Sequence, residues 1–397
     1  MIDPYALDWL ALALRWFHFM MGVAWIGASF YFVWLNNSIR PPSPAQEGVA
    51  GGLWAVHGGA FYEVRKMQGA PAKLPETLHW FKWEAYLTWL SGFALLVLSW
   101  WLQAGTRMVD PAVAALSPGQ AVGIGVGTLI VGWLVYDGLC RSPLRRHGAA
   151  LGLLLLLFSA AVAWGLSQVL SARAAWMHTG AMLGTWMAAN VLFVIIPGQR
   201  AMVDALVAGT PPPVERGVAG ALRSLHNNYL TLPVLFVMIS SHFPSTWGHE
   251  HGWAVLIGLG LVGALYRHWV NLGERGRPQP LVLVAAGLLL VALGFVTRPS
   301  PAPVSSSGQA TVPLTRVQQL VAVHCLGCHA AIPLQPGFAV APKGVAFDRP
   351  EDIERHAAAI HQQVVQTRVM PLGNLTGMTD EERQIVADWA AGRGVAR

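Results

Sequence analysis

Long apolar runs alternate with short polar connections along the first three quarters of the chain, and the pattern stops in the last quarter. A helix needs about 20 mainly apolar residues to cross the hydrocarbon core of a bilayer. Eight runs meet that need, at residues 7–35, 80–103, 119–139, 149–170, 174–197, 225–243, 253–270 and 280–296. Next comes "TRPSPAPVSSSGQATVPLT", with the Pro, Ser and Gly content of a linker. The residues beyond it are ordinary in polarity. Helical periodicity there predicts an opening helix at 316–324, a middle one at 351–367 and a terminal one at 380–391. The last has Ile385 and Trp389 four apart on one face, and Thr379 and Glu382 at capping-box spacing ahead of it.

Composition makes lipid the solvent of the larger part. The 397 residues are 54% hydrophobic and 12% charged, with eighteen Trp, where soluble domains carry about 25% charge. The net charge of +6 would suit a nucleic-acid partner if it were clustered, but the basic residues fall in the connections, so the partner expected is the lipid bilayer and not nucleic acid. Thirteen Lys and Arg fall in or beside the odd-numbered connections, among them Arg40, Lys73, Arg145, Arg200, Arg223 and Arg267. The even ones hold only Arg107 and Arg173. The positive-inside bias puts the odd connections in the cytoplasm and both termini outside. The chain opens Met-Ile-Asp-Pro, without the basic start of a secretory signal, so the first run is expected to stay as a helix. "GIGVG" at 123–127 lies inside an apolar run and reads as close helix packing.

"VAVHCLGCHAAIP" carries the clearest chemistry. Cys325-Leu326-Gly327-Cys328-His329 is C-x-x-C-H, the attachment pattern of a c-type haem. The two thiols form thioethers to one porphyrin, and His329 is placed to bind the iron. The third cysteine, Cys140, stands alone, and no second Cys pair exists for zinc. The sixth ligand expected is Met370, before Pro371, ahead of Met378 and of His356 or His361. His/Met ligation raises the haem potential, as an electron acceptor requires. Haem attachment on the outer side of a bacterial membrane agrees with the loop charges. The fold class expected is all-α: an eight-helix integral membrane bundle at 1–297, a linker at 298–313 and a small class I-like cytochrome c domain at 314–397.

Ionisable residues inside a membrane are costly and point to function. His18 lies about three turns into the first run among aromatics. The loop charges place it with Arg15, His178 and His242 in the outer half, and His79, Lys82, Glu84, Gln199, Arg200, His226, Asn227 and Asn228 in the inner half. Lys and Arg at these depths also serve as interfacial anchors, and a His near a helix end as ordinary hydrogen-bonded structure. His18 paired with His178 or His242 would hold a b-type haem, or would act on substrate.

The strings "ALRWFHFMMGVAWIGASFYFVWLNNSI", "GGLWAVHGGAFYEVRKMQ", "LHWFKWEAYLTWLSG", "ANVLFVIIPGQR" and "HNNYLTLPVLFVMISSHFP" resemble the bacterial membrane-bound urate hydroxylase family, in which an eight-helix domain is fused to a cytochrome c. The resemblance covers the whole chain. It implies oxidation of urate to 5-hydroxyisourate in purine degradation, with electrons passed to the chain's own haem c and onward to a cytochrome c or terminal oxidase, and no hydrogen peroxide formed. It implies a bacterial inner membrane, with the N-terminus and the haem domain in the periplasm.

A planar urate anion asks for a cation, matching amides and a base. Arg200 with Gln199, Asn227 and His226 offers that set on the inner side; Arg15 with His18 and His178 offers a poorer one outside. An inner site would lie roughly 30 Å of hydrocarbon from an outer haem, and a b-type haem on His18 would bridge it. Two other classes compete: a quinol-to-cytochrome c electron-transfer protein, which predicts paired histidines along the helices, and a transporter or metal-handling protein with a sensory cytochrome.

Overall fold

The computed structural model describes residues 4–69, 71, 74–298, 312–335, 338 and 340–393; Lys73 and most of the expected linker lie outside them. Helix covers every apolar run. The elements of the larger part are α1 (Pro4–Ser38), α2 (Trp83–Leu96), α3 (Ala104–Arg107), α4 (Pro118–Arg141), α5 (Gly148–Ser167), α6 (Ala172–Asn190), α7 (Ile196–Val207), α8 (Val214–Ile239), α9 (Pro244–Trp247), α10 (Gly252–Glu274) and α11 (Pro280–Val296). Five described helical stretches are long and apolar enough to cross a membrane: α1, α4, α5, the continuous Ala172–Val207 and α10. They mark a membrane protein. The helix α11 is apolar but has only 17 residues, and α8 carries a row of polar side chains.

The larger part departs from the expected elements in three places. The first connection is not loop but a hairpin, β1 (Val49–His57) paired antiparallel with β2 (Ala60–Met67), so the all-α class holds only for the bulk of the chain. Its turn falls at Gly58 and Gly59, both at positive φ, which a two-residue hairpin turn requires and glycine supplies without steric cost. Second, α8 begins at Val214, eleven residues before the expected start at 225. Its first turns contain Glu215, Arg216 and Arg223, which hydropathy reads as loop. Third, the expected stop at Pro197 is not a stop. A π turn at Val191–Ile195 widens the helix just before it, and Pro197 enters at the start of α7, where a missing N–H is tolerated.

The α8 helix packs between α6 and α10, while α1 packs on α2. The main core gathers Trp100, Met108, Tyr136, Leu170, Met182 and Trp186. Much of α1 and α11 presents apolar side chains outward, among them Trp16, Phe19, Leu288 and Phe295, as lipid contact demands.

The C-terminal part consists of α12 (Leu314–His324), α13 (Leu326–His329), α14 (Pro350–Arg355), α15 (Ala357–Ile360) and α16 (Asp380–Ala391). Val317, Leu320, Ile353, Ile360, Val386 and Trp389 form its own core. The helix expected at 351–367 is broken, with α14, α15 and a π turn at His361–Gln366 in succession. The terminal helix is where the sequence puts it. Glu382 N–H donates to Thr379 Oγ1 at 3.3 Å and Thr379 N–H to Glu382 Oε2 at 2.9 Å, which closes the capping box.

Candidate functional site

Two polar assemblies and one cavity stand out. The first lies between α4, α6 and α8 and is built round Arg223, which is 3% exposed. Its Nη2 donates to Asp137 Oδ1 at 2.6 Å and its Nη1 to Asn190 Oδ1 at 3.2 Å. The Asn190 amide donates to the Tyr136 hydroxyl at 2.8 Å and to Asn227 Oδ1 at 2.9 Å. The hydroxyl in turn lies 2.9 Å from His226 Nδ1. Asn228, which follows Asn227 on α8, faces the other way, 2.8 Å from both Asn271 and Arg267 of α10, and Arg267 leads to Glu274, which accepts from Asn37 at 2.8 Å. Pairing of this kind is what lets charged groups persist away from water.

His226 and Asn227 are thus brought together, but with Arg223 as their cation. Arg200 and Gln199 are exposed on α7 and stand outside the network. His79 packs on Phe81 and Lys82 lies over Trp83. Glu84 Oε2 is buried with no hydrogen-bond partner among the described residues. Sequence reading missed Asp137, Tyr136 and Asn190, and counted Arg223 only as a connection charge. The signal was present: Asp137 is an acid within an apolar run, three residues from the lone Cys140.

The sequence pairs His18 with His178 or His242 as ligands of a b-type haem. His18 Nδ1 lies 2.9 Å from the Thr88 carbonyl and 3.0 Å from Ser91 Oγ on α2, which leaves Nε2 open. His178 is fully buried. Its Nδ1–H donates to Ala174 O at 2.9 Å and its Nε2 accepts from Trp101 Nε1 at 3.1 Å. A Cβ on Gly125 would lie 2.7 Å from that Nε2. With both nitrogens bonded and a helix backbone against the ring, His178 does not fit an axial haem ligand. His242 is exposed on the turn Ser240–His242.

In the C-terminal domain, Cys325 and Cys328 are unpaired. Burial, with Cys328 close by, pushes the Cys325 thiol up to about 12, and burial also raises that of Cys328. His329 Nδ1–H donates to Val345 O at 2.8 Å. A bond of that type fixes the tautomer and orients Nε2 as the ligating nitrogen. The Met370 carbonyl accepts from Arg383 Nη1 at 2.7 Å. Met378 is buried in the core, with its N–H and carbonyl both held by the Asn374 amide. His361 is buried with Nε2 unbonded among the described residues, and His356 is tied to Asp352 O.

The cavity lies where the two parts meet. It holds about 190 Å³ and is walled on one side by Trp100, Arg107, Asp110, Ser171, Arg173 and Trp247. The opposite wall comes from the C-terminal domain: Thr367, Arg368, Val369, Leu372 and Gly373. The connections before α4, before α6 and before α10 therefore gather at one end, against the loop that carries Met370. Val369 packs into the apolar cluster of Trp176, Val237 and Trp247.

The class defined here is a helical membrane protein with a separately cored C-terminal domain docked on one end. The family model described as urate oxidase N-terminal matches residues 4–298, and the chain belongs to that family. Its function is urate-related, and the family is one of oxidoreductases. No curated protein and no solved structure matches the chain.

Proposed function

We propose that the chain is a membrane-bound urate hydroxylase that oxidises urate to 5-hydroxyisourate and sends the electrons through a haem c in its own C-terminal domain. The setting is a bacterial inner membrane with the haem domain in the periplasm, and the onward acceptor is a cytochrome c or a terminal oxidase. The observation that carries the reading is the pairing of a urate oxidase family domain at 4–298 with a C-x-x-C-H motif whose histidine has only Nε2 left for a metal. Two unpaired thiols, that nitrogen and Met370 fit a covalent His/Met haem. The linker at 298–313 and the domain at 314–397 belong to the same reading, as do eight membrane crossings.

When bound, the haem supplies a one-electron acceptor, used twice per urate. Urate and water give 5-hydroxyisourate, two protons and two electrons, with water adding at the oxidised ring carbon. The chain must bind a planar anion, exclude bulk water and remove a proton. His18 keeps Nε2 open, with Nδ1 fixed on α2. Asn227 is held by Asn190 and the Met187 carbonyl, and His226 Nδ1 by the Tyr136 hydroxyl, a network that suits support of the helices. No step is routed through a b-type haem on His178, whose two ring nitrogens are both hydrogen-bonded.

The test is anaerobic. Purified holoprotein is mixed with urate, with xanthine and a quinol as controls, and the haem absorption is followed. Reduction by urate alone supports the reading; reduction by quinol and not by urate replaces it with quinol-to-cytochrome c transfer.

A further inference from the structure

The interface cavity has the chemistry of a planar-anion site. Three guanidinium groups line it, from Arg107, Arg173 and Arg368, against one carboxylate, Asp110. Arg173 is wedged between two indoles, its Cζ 5.4 Å from the Trp100 ring and 5.9 Å from the Trp247 ring. Its Nε is buried and has no hydrogen-bond partner among the described residues. A buried guanidinium N–H left unpaired is costly and asks for an acceptor. Ser171 caps α6, whose first turn also faces the cavity, and the amides of a helix start favour negative charge. Burial and the neighbouring cations Arg173 and Arg15 pull the Arg107 guanidinium down to about 10. Asp8 opposes that shift, and the cavity lining itself has three guanidinium groups to one carboxylate.

Several other polar groups at the walls already have one partner, with further atoms free. Arg107 Nε donates to Gln103 Oε1 at 2.7 Å, Ser171 Oγ donates to Arg107 O at 2.8 Å, and Asp110 Oδ1 accepts from Ala112 N–H at 3.0 Å. Arg368 pairs with Asp380. That leaves Arg173 as the group most in need of a ligand, with Arg368 opposite it on the docked domain.

We propose that this cavity is the urate site, the anion held by Arg173 and Arg368 and its ring faced by Trp100 and Trp247. The assignment rests on the urate-oxidising reading above and adds where the substrate binds. It places urate against the loop that bears Met370, so electrons need not cross the bilayer. An inner site built on Arg200 would require that crossing.

The experiment uses full-length holoprotein in nanodiscs, reduced with ascorbate so that urate binds without turnover. Binding of labelled urate is measured by equilibrium dialysis for the wild type, Arg173→Gln, Arg368→Gln and Arg145→Gln, with the haem spectrum as a check on folding. Arg368 is more than half exposed in its side chain, so its replacement keeps the test alive if Arg173→Gln fails to fold. The expected result is at least tenfold weaker binding in each of the first two variants and an unchanged affinity in Arg145→Gln. Wild-type affinity in both Arg173→Gln and Arg368→Gln overturns the site. Wild-type protein that neither binds urate nor is reduced by it overturns both the site and the urate-oxidising reading. Binding and reduction that persist in every variant overturn the site alone.

Discussion

A Cβ placed on Gly373 would lie 2.7 Å from the carbonyl oxygen of Val109. Gly373 belongs to the C-terminal domain and Val109 to the connection after α3, so the two parts touch backbone to backbone. Gly373 is also at φ +58, the left-handed region, where a side chain costs about 1–2 kcal/mol. Gly373→Ala should therefore loosen the docking without emptying the haem site. Stopped-flow mixing with urate should show haem reduction slowed several-fold, with an unaltered haem spectrum. An unchanged rate would mean that this contact does not position the domain.

The buried pair of Arg223 and Asp137 sets a second expectation. Removing one partner strands the other away from water, at a cost of about 3–5 kcal/mol. Asp137→Ala should lower the thermal midpoint in detergent markedly, while Asp137→Asn, which keeps an acceptor for Arg223, should lose less. Equal losses would show that hydrogen-bond geometry at this position matters less than charge.

The two methionines of the C-terminal domain should separate by readout. Met370→Ala removes the expected sixth ligand and should lower the haem midpoint potential, since thioether ligation raises it. Met378→Ala opens a cavity in a packed core and should cost about 2–5 kcal/mol of stability, with the potential held. The reverse pattern in redox titration and melting would exchange their roles.

The thiols give a pH-dependent check on the haem-free chain. Only the thiolate reacts with an alkylating agent, and a raised pKa means less thiolate at any given pH below it. With Cys325 at about 12 and Cys328 raised less, iodoacetamide labelling at pH 8 should be slow for both. It should climb as pH rises, with Cys328 labelled before Cys325, as peptide mass spectrometry would record. Rapid labelling of Cys325 at pH 8 would contradict its burial.

Much of this fold is legible in the sequence because hydropathy and capping are local. The apolar runs became helices, and Thr379 with Glu382 fixed the start of α16 to the residue. What was not legible depends on partners far along the chain. Arg223 looks like a connection charge until Asp137, 86 residues away, is seen to neutralise it inside the bundle. The β1–β2 hairpin was readable from its Gly58-Gly59 turn, but a search for membrane-length runs passes over short strands. The cavity was hidden for a different reason. Arg107 ends α3 and Arg173 lies in the first turn of α6, 66 residues apart, and docking of the C-terminal domain adds Arg368 to them.

The loop at residues 367–373 is shared property: one edge walls the cavity and the other presents Met370. Free energies of two events meeting on one segment are bound by reciprocity. If a change of oxidation state at the haem alters how firmly this loop sits, it alters the hold on whatever anion fills the cavity. By the same amount, occupancy of the cavity must then shift the reduction potential. A spectroelectrochemical titration run with and without ligand would therefore give the ratio of ligand affinities of the oxidised and reduced forms.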